Sequence, residues 1–181
     1  MARTPFVFLD RDGTLVREVN YGHRLEDYEL LAGVPEALRR LADAGYALAI
    51  VTNQSGIGRG LFTHADFERF QGRLLADLDA AGVRIAATYF CPHHPDEDCE
   101  CRKPSPALLY RARDELGADL ARSWVIGDHV KDMELAANAG CRGGVLVRTG
   151  HGAEQSRKLG SVRVAGVADD LGDAATIILG R

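Results

Sequence analysis

The segment 91–104, CPHHPDEDCECRKP, holds the residues of this chain that are best suited to binding a soft metal ion. It contains three of the four cysteines in the sequence and two of the six histidines. Thiolate and imidazole groups in a Cys-x-His…Cys-x-Cys arrangement suit a closed, four-coordinate zinc site, which is structural because no position stays open for water. The predicted zinc ligands are Cys91, His93, Cys99 and Cys101, with His94 as the alternative to His93.

Two cations follow this cluster directly. Arg102 and Lys103 come immediately after Cys101, so a metal ion that holds the loop in place would also fix the direction of both side chains. Their positive charge would partly offset the negative charge of three thiolates on zinc. The alternative interpretation is that Cys99 and Cys101 are free thiols in a mobile acidic loop. We predict that the zinc loop directs both cations toward a substrate.

Acidic, amide and hydroxyl residues follow the apolar segments of the chain. Because ligands of parallel α/β sheets gather at the carboxyl ends of the strands, these side chains should converge at one edge. Crowded carboxylates repel one another unless a cation lies between them, and hard oxygen ligands suit Mg²⁺. The residues that follow the apolar segments are Asp10 and Asp12, Thr52 and Asn53, Lys103, Asp128 and Asp132.

This convergence predicts a magnesium-dependent phosphoryl-transfer site. Asp10 and Asp128 are expected as side-chain ligands, and Asp12 as a backbone ligand, because side chains alternate along an extended segment. Lys103 and the hydroxyl groups would hold the phosphoryl oxygens. Asp10 can attack phosphorus as a carboxylate nucleophile. Asp12 can protonate the leaving alkoxide and then activate water, a role that a binding protein without turnover would not need.

Strand-like and helix-like patterns alternate along the chain. Alternation of this kind favours a three-layer, Rossmann-like α/β fold, with a parallel sheet covered by helices on both faces. No repeat or low-complexity linker divides residues 1–181, so one domain is expected, with the zinc loop 91–101 inserted in it. The predicted strands are Phe6–Leu9, Tyr46–Val51, Ala87–Phe90, Trp124–Ile126 and Gly144–Val147, and the predicted helices are Val34–Ala44, Thr63–Ala81, Ser105–Gly117 and Lys131–Ala139.

The composition excludes several classes of protein. The net charge of −4 gives no reason to expect nucleic acid or an anionic membrane as a partner. The sequence contains no signal-peptide pattern and no apolar run near the roughly 20 residues that span a bilayer. We therefore expect a cytoplasmic protein that acts as a monomer on a small molecule.

The sequence has no room for a large lid domain over the predicted site. Only the segment 17–31 lies between the first acidic motif and the first predicted helix, and one helix and one strand occupy the residues between Ser55 and Cys91. The fold is therefore expected to be capless. The flap 17–31 and the zinc loop would border the substrate, with Tyr21 and His23 as possible contacts to a sugar.

Taken together, these motifs resemble those of the haloacid dehalogenase superfamily of phosphotransferases. The resemblance runs from Phe6 to about Gly150 and rests on DRDGT after the first strand, Thr52, Lys103 and the GD…D pattern that ends at Asp132. It implies a nucleophilic Asp10 and an acid–base Asp12. It also implies phosphate clamps and magnesium ligands, namely Thr52 and Lys103 for the phosphate and Asp10, Asp12 and Asp128 for Mg²⁺.

Longer stretches resemble the D-glycero-D-manno-heptose 1,7-bisphosphate 7-phosphatases. These stretches are FLDRDGTLV, VTNQSGIGRG, the zinc loop, VIGDHVKDM and VLVRTG. His129 departs from the lysine of that family. The histidinol-phosphate phosphatases share the zinc loop and its short connection, so they remain the alternative, together with a non-catalytic phosphosugar-binding protein. The substrate-binding residues implied by the resemblance are Glu18, Val19, Asn20, Tyr21, Thr52, Asn53, Gln54, Ser55, Arg102, Lys103 and His129.

Overall fold

The computed structural model describes residues 3–180, in which six strands form one parallel sheet. The strand order is β3-β2-β1-β4-β5-β6, so the first strand lies at the centre, between the second and the fourth. The predicted α/β class is confirmed. The strands are β1 Phe6–Leu9, β2 Ala47–Asn53, β3 Ala87–Cys91, β4 Trp124–Gly127, β5 Gly143–Val147 and β6 Gly166–Ala168.

Helices cover both faces of this sheet, and local signals fix their ends. Thr63 and Asp66 form a capping box at the start of the longest helix, and Gly117 ends a later one in the left-handed conformation that glycine favours. Within residues 3–180, no helix combines the length and apolar character needed to cross a membrane. The helices are α1 Val34–Asp43, α2 Ser55–Gly58, α3 His64–Ala80, α4 Ala107–Leu116, α5 Val130–Asn138, α6 Gly152–Gln155 and α7 Leu171–Leu179.

The alternation of side chains along β1 divides the core into two layers. Val7 and Leu9 belong to the layer that includes residues of α1, α3 and α7. Phe6 and Phe8 belong to the opposite layer, which includes residues of α4 and α5. A strand buried on both faces is apolar throughout, which explains why β1 is a continuous apolar run rather than an alternating one.

Several predicted boundaries were wrong by a few residues, and some elements were not predicted. β3 extends to Cys91, so the first predicted zinc ligand belongs to the strand itself. β6 has only three residues, too few for a periodic pattern. α7 is an apolar helix whose start is capped by the side chain of Asp170. Its position in the core depends on contacts with α1, which is distant in sequence, and with β6, which directly precedes it.

The flap 17–31 is held at its base by backbone hydrogen bonds. The amide of Arg17 donates to the carbonyl of Glu29 at 2.9 Å, and the amide of Leu31 donates to the carbonyl of Leu15 at 3.0 Å. A single turn of 3₁₀ helix, Leu25–Asp27, lies inside the flap. The flap is therefore a short loop beside the carboxyl end of β1, and backbone hydrogen bonds close its base.

Candidate active site

Lys103 lies at the centre of the polar cluster at the carboxyl edge of the sheet. Its ammonium group donates to Asp10 Oδ1 at 2.7 Å, to Asp132 Oδ1 at 2.7 Å and to the carbonyl of Val51 at 2.9 Å. Burial lowers the pKa of Lys103, but the two carboxylates outweigh this effect and raise the pKa above its ordinary value. Lys103 is therefore a fixed cation that joins the ends of β1 and β2 to the start of α5.

Three carboxylates crowd together beside this lysine. Oxygen atoms of Asp10, Asp128 and Asp132 all lie within 4.8 Å of one another. Burial, opposed by Lys103, raises the pKa of Asp10 to about 7. Burial and the charge of Asp10 raise the pKa of Asp128 to about 8. A hard divalent cation placed among these oxygens would offset that repulsion, so the donor set fits Mg²⁺.

Two glycines make space for Asp128. A Cβ atom on Gly13, whose φ is +80°, would lie 2.2 Å from Asp128 Oδ2, and one on Gly150 would lie 2.3 Å from the same oxygen. The backbone amide of His151 donates to this oxygen at 2.8 Å. The carboxylate thus sits in a cradle of backbone that a larger residue would fill.

Asp132 contacts both the cluster and the start of α5. Its Oδ2 accepts the backbone amide of His129 at 3.1 Å, while its Oδ1 holds Lys103. His129 Nδ1 in turn accepts the backbone amide of Lys131 at 3.2 Å, which leaves Nε2 to carry the proton of the neutral ring. The capping box of α5 therefore orients residues of the site as well as the helix.

Asp12 is held in place by two neighbours. Arg11 donates from Nε and Nη2 to both carboxylate oxygens at 3.0 Å. The guanidinium group is 1% exposed and lies 4.7 Å from the ring centroid of Phe70. Gln54 donates from Nε2 to Asp12 Oδ2 and to Thr52 Oγ1, each at 2.9 Å. These contacts fix the rotamer of the predicted acid–base residue in this structure.

Two adjoining cavities open at this edge of the sheet, with volumes of about 160 and 230 Å³. Asp12, Glu18 and Asn53 line both. Burial, together with the charges of Asp12 and Asp10, raises the pKa of Glu18 to about 7. The structure brings every predicted substrate-binding residue to one of these cavities. The flap cavity is lined by Glu18, Val19, Asn20, Tyr21, Asn53, Gln54 and Ser55, and the aspartate cavity by Glu18, Thr52, Asn53, Arg102, Lys103 and His129.

Asn53 also connects the two cavities to the zinc loop. Its side chain donates from Nδ2 to the carbonyl of Lys103 at 3.3 Å, and its Oδ1 accepts the Lys103 amide at 3.0 Å. This reciprocal pair holds the backbone on which Lys103 is mounted. Asn53 is therefore placed to position Lys103 as well as to line the cavity.

The flap residues Tyr21 and His23 occupy different positions. Tyr21 lines the flap cavity, has a φ of +56° and lies 5.9 Å below the guanidinium of Arg59. His23 stacks on Phe62 with the ring centroids 5.0 Å apart, and it lies outside the residues that line the two cavities. His23 therefore contacts the flap cavity only indirectly, through Phe62 and through the Tyr21 carbonyl, 2.8 Å from its Nδ1.

The predicted soft-metal ligands also converge. Cys91 Sγ lies 3.6 Å from His93 Nδ1 and 3.7 Å from Cys99 Sγ, and His93 Nδ1 lies 3.2 Å from Cys101 Sγ. Burial raises the pKa of the Cys91 thiol to about 12, so a cation is needed to hold the sulfur as a thiolate at neutral pH. His94 turns away, because its Nδ1 accepts the backbone amide of Asp96 at 3.1 Å.

Sequence reasoning missed some residues at this site. Arg11 stands in the DRDGT motif, which does not predict its pairing with Asp12. Lys131 lines the aspartate cavity, whereas the sequence pattern predicts only that it lies on a helix. Thr149 Oγ1 donates to the carbonyl of Gly13 at 2.6 Å and so supports the cradle around Asp128. The VRTG stretch hinted at Thr149, whereas no local pattern distinguishes Arg11 or Lys131 from surface cations.

Comparisons with known proteins agree with this fold. Residues 100–174 match a family model described as HAD-hydrolase-like. A solved D,D-heptose 1,7-bisphosphate phosphatase from B. bronchiseptica, complexed with magnesium and phosphate, is 32% identical. Its TM-score is 0.88, and the match covers 97% of this chain and 98% of that one.

The curated relatives define the family more narrowly. A D-glycero-beta-D-manno-heptose-1,7-bisphosphate 7-phosphatase from Yersinia pestis is 46% identical over 155 aligned residues, and the match covers 81% of each chain. The enzyme of the same name from Escherichia coli K12 is 44% identical over 155 residues, covering 81% of this chain and 80% of its own. The chain belongs to this family of heptose bisphosphate phosphatases within the HAD-like hydrolases.

Proposed function

We propose that this chain is a Mg²⁺-dependent phosphatase that removes the 7-phosphate of D-glycero-D-manno-heptose 1,7-bisphosphate. The observation that carries the proposal is the convergence of Asp10, Asp128 and Lys103 beside Asp12 at the carboxyl edge of the sheet. The names of the relatives supply the substrate, and the two adjoining cavities offer space for a sugar with a second phosphate.

Mg²⁺ would be held by the carboxylates of Asp10 and Asp128 and the backbone carbonyl of Asp12. When bound, the ion would neutralise charge on the transferring phosphoryl group. Asp132 is less suited to be a direct ligand, because its two oxygens already accept from Lys103 and from the amide of His129. We assign Asp132 to positioning Lys103.

The reaction we propose has two steps. The Asp10 carboxylate attacks phosphorus while Asp12 gives a proton to the departing sugar oxygen, which leaves an aspartyl phosphate on Asp10. Asp12 then takes a proton from water as the water attacks phosphorus, and this releases inorganic phosphate and restores Asp10. Lys103 and Thr52 hold the phosphoryl oxygens in both steps.

We propose that the sugar and its second phosphate bind to residues of the flap and of the neighbouring loops. These residues are Glu18 to Tyr21, Asn53 to Ser55, Arg102 and His129. Their shared feature is that they line the two cavities beside Asp12. A monomer acting in the cytoplasm stays a prediction from the sequence.

We propose that a structural Zn²⁺ ion binds in the soft-metal cluster, which consists of Cys91, His93, Cys99 and Cys101. Its four donor atoms lie within 4.8 Å of one another, and three thiolates with one imidazole suit zinc. The loop rests on α2, because the amide of Gly58 donates to the carbonyl of Pro92 at 2.8 Å. A metal ion there would hold the loop that leads into Arg102 and Lys103.

The proposed function is tested by measuring release of inorganic phosphate from the heptose bisphosphate, with Mg²⁺ and with a chelator. We expect turnover only with Mg²⁺, and a kcat/KM well above that for histidinol phosphate. Preference for histidinol phosphate would transfer the assignment to the alternative family. Binding of the bisphosphate with no phosphate release under either condition would show a binding protein instead.

A further inference from the structure

Lysine is rare in this chain, and the three lysine residues have different surroundings. The sequence contains only Lys103, Lys131 and Lys158. Lys103 is buried and held by Asp10 and Asp132. Lys158 is exposed and pairs with Glu154. Within residues 3–180, the ion pairs do not include Lys131, even though Glu134 lies three positions further along the same helix.

Lys131 lines the aspartate cavity, together with Arg102. Arg102 resembles Lys131 in one respect, since its buried Nη1 has no hydrogen-bond partner among the described residues. The same cavity holds Lys103, which contacts Asp10, Asp132 and the Val51 carbonyl, and the proposed function assigns this lysine to the reacting phosphoryl group. Arg102 and Lys131 are therefore the cations of this cavity that remain available to an incoming anion.

The substrate of the proposed function carries two phosphates, and only one of them reacts at Asp10. The second phosphate is a dianion at neutral pH, and Asp12 and Glu18 add negative charge to the same cavity, so this phosphate needs a cation that is not engaged at the reacting end. A lysine ammonium binds phosphate as a point charge and needs no fixed geometry, which suits the partly exposed Lys131.

We propose that Lys131 is a specificity-determining residue that binds the non-reacting phosphate of the substrate together with Arg102. The inference rests on the proposed function and adds a residue that the sequence motifs do not mark. Lys131 is expected to contribute binding that is the same in the ground state and the transition state. Its loss should therefore raise KM and leave kcat nearly unchanged.

The test compares Lys131→Met with Lys158→Met, which removes the same charge from a lysine outside the two cavities. For the heptose 1,7-bisphosphate, Lys131→Met should raise KM by about tenfold, the size expected for loss of one charge-assisted contact. For the corresponding 7-monophosphate, which lacks the second phosphate, the same variant should leave kcat/KM within about twofold. Lys158→Met should match the unaltered chain on both compounds.

The outcomes separate the inference from the proposed function. An unchanged KM for the bisphosphate in Lys131→Met would overturn the inference while leaving the proposed function intact. Equal losses on the bisphosphate and the monophosphate would also overturn it, because Lys131 would then act on the reacting end. If the unaltered chain released no phosphate from the bisphosphate, the proposed function and the inference would both fall.

Discussion

Asp10 is surrounded by groups that act on its charge in opposite directions. Lys103 favours the carboxylate, whereas burial and the nearby Asp132 favour the protonated acid, and burial dominates. The pKa of about 7 is well above the ordinary aspartate value of about 4. The carboxylates of the site repel one another electrostatically, and a bound cation would offset this repulsion. Asp10 is the residue on which the proposed chemistry depends.

Replacing Asp10 with asparagine tests the nucleophile. We expect Asp10→Asn to lower kcat by at least about a thousandfold, because the amide does not form an acyl phosphate. At pH 8 without metal, its thermal midpoint should equal or exceed that of the unaltered chain, since a disfavoured buried charge is removed. Phosphate release and thermal unfolding are the measurements, with Asp43→Asn at an exposed position as the control. Retained turnover in Asp10→Asn would remove the nucleophile from the scheme.

The zinc loop shows how an element places side chains that lie outside it. The loop starts at the last residue of β3, where the amide of Gln54 donates to the Cys91 carbonyl at 2.7 Å. It returns to the sheet edge through the reciprocal bonds between Asn53 and the backbone of Lys103. Its close approach to α2 requires Gly58, since a Cβ there would lie 2.2 Å from the amide nitrogen of His94. The loop therefore connects the cysteine and histidine cluster to Lys103, the lysine proposed to hold the phosphoryl group.

Cys99→Ser tests this coupling. We expect the variant to lose zinc and to lose about tenfold in kcat/KM, because the loop that holds Arg102 and Lys103 becomes less ordered. Zinc content by elemental analysis and steady-state kinetics are the measurements. Cys141→Ser is the matched control, because Cys141 lies outside the metal cluster. Loss of zinc with unchanged kinetics would show that the loop orients neither cation.

For the molecule as a whole, the carboxylate cluster links stability to pH and to metal. Asp10 and Asp128 have folded-state pKa values of about 7 and about 8, against about 4 for an unfolded aspartate. The folded state therefore binds more protons than the unfolded state between about pH 4 and about pH 8. The stability from these groups is full below about pH 4 and is lost as the pH rises through 7 to 8.

Mg²⁺ should reverse that loss. Because the ion binds ionised carboxylates, we expect saturating Mg²⁺ to raise the thermal midpoint more at pH 8 than at pH 5, where protons compete for the same oxygens. The measurement is thermal unfolding with Mg²⁺ and with a chelator at the two pH values. The difference should shrink in Asp10→Asn, which lacks one of the titrating groups. An equal shift at both pH values would contradict the assignment of these carboxylates as ligands.

The sequence by itself predicted the class of fold and the polar residues that gather at one edge of the sheet. Each strand is a local apolar run, and the polar residues that follow it are adjacent in sequence, so their arrival at one edge follows from parallel topology alone. Parallel topology thus predicts that Asp10, Thr52, Lys103 and Asp128 lie together, and all four line the aspartate cavity. The ligand spacing of the zinc loop is equally local, and it brought four of the candidate ligands together correctly.

The tertiary structure decided which of these groups contact one another. The choice of His93 over His94 depends on the turn at Asp96, and the pairing of Arg11 with Asp12 depends on packing against Phe70 from α3. β6 and α7 carry too weak a local signal and owe their positions to long-range packing. Lys131 lines the aspartate cavity and lacks a carboxylate partner within the described chain. Both are properties of its three-dimensional surroundings, which spacing along a sequence does not encode.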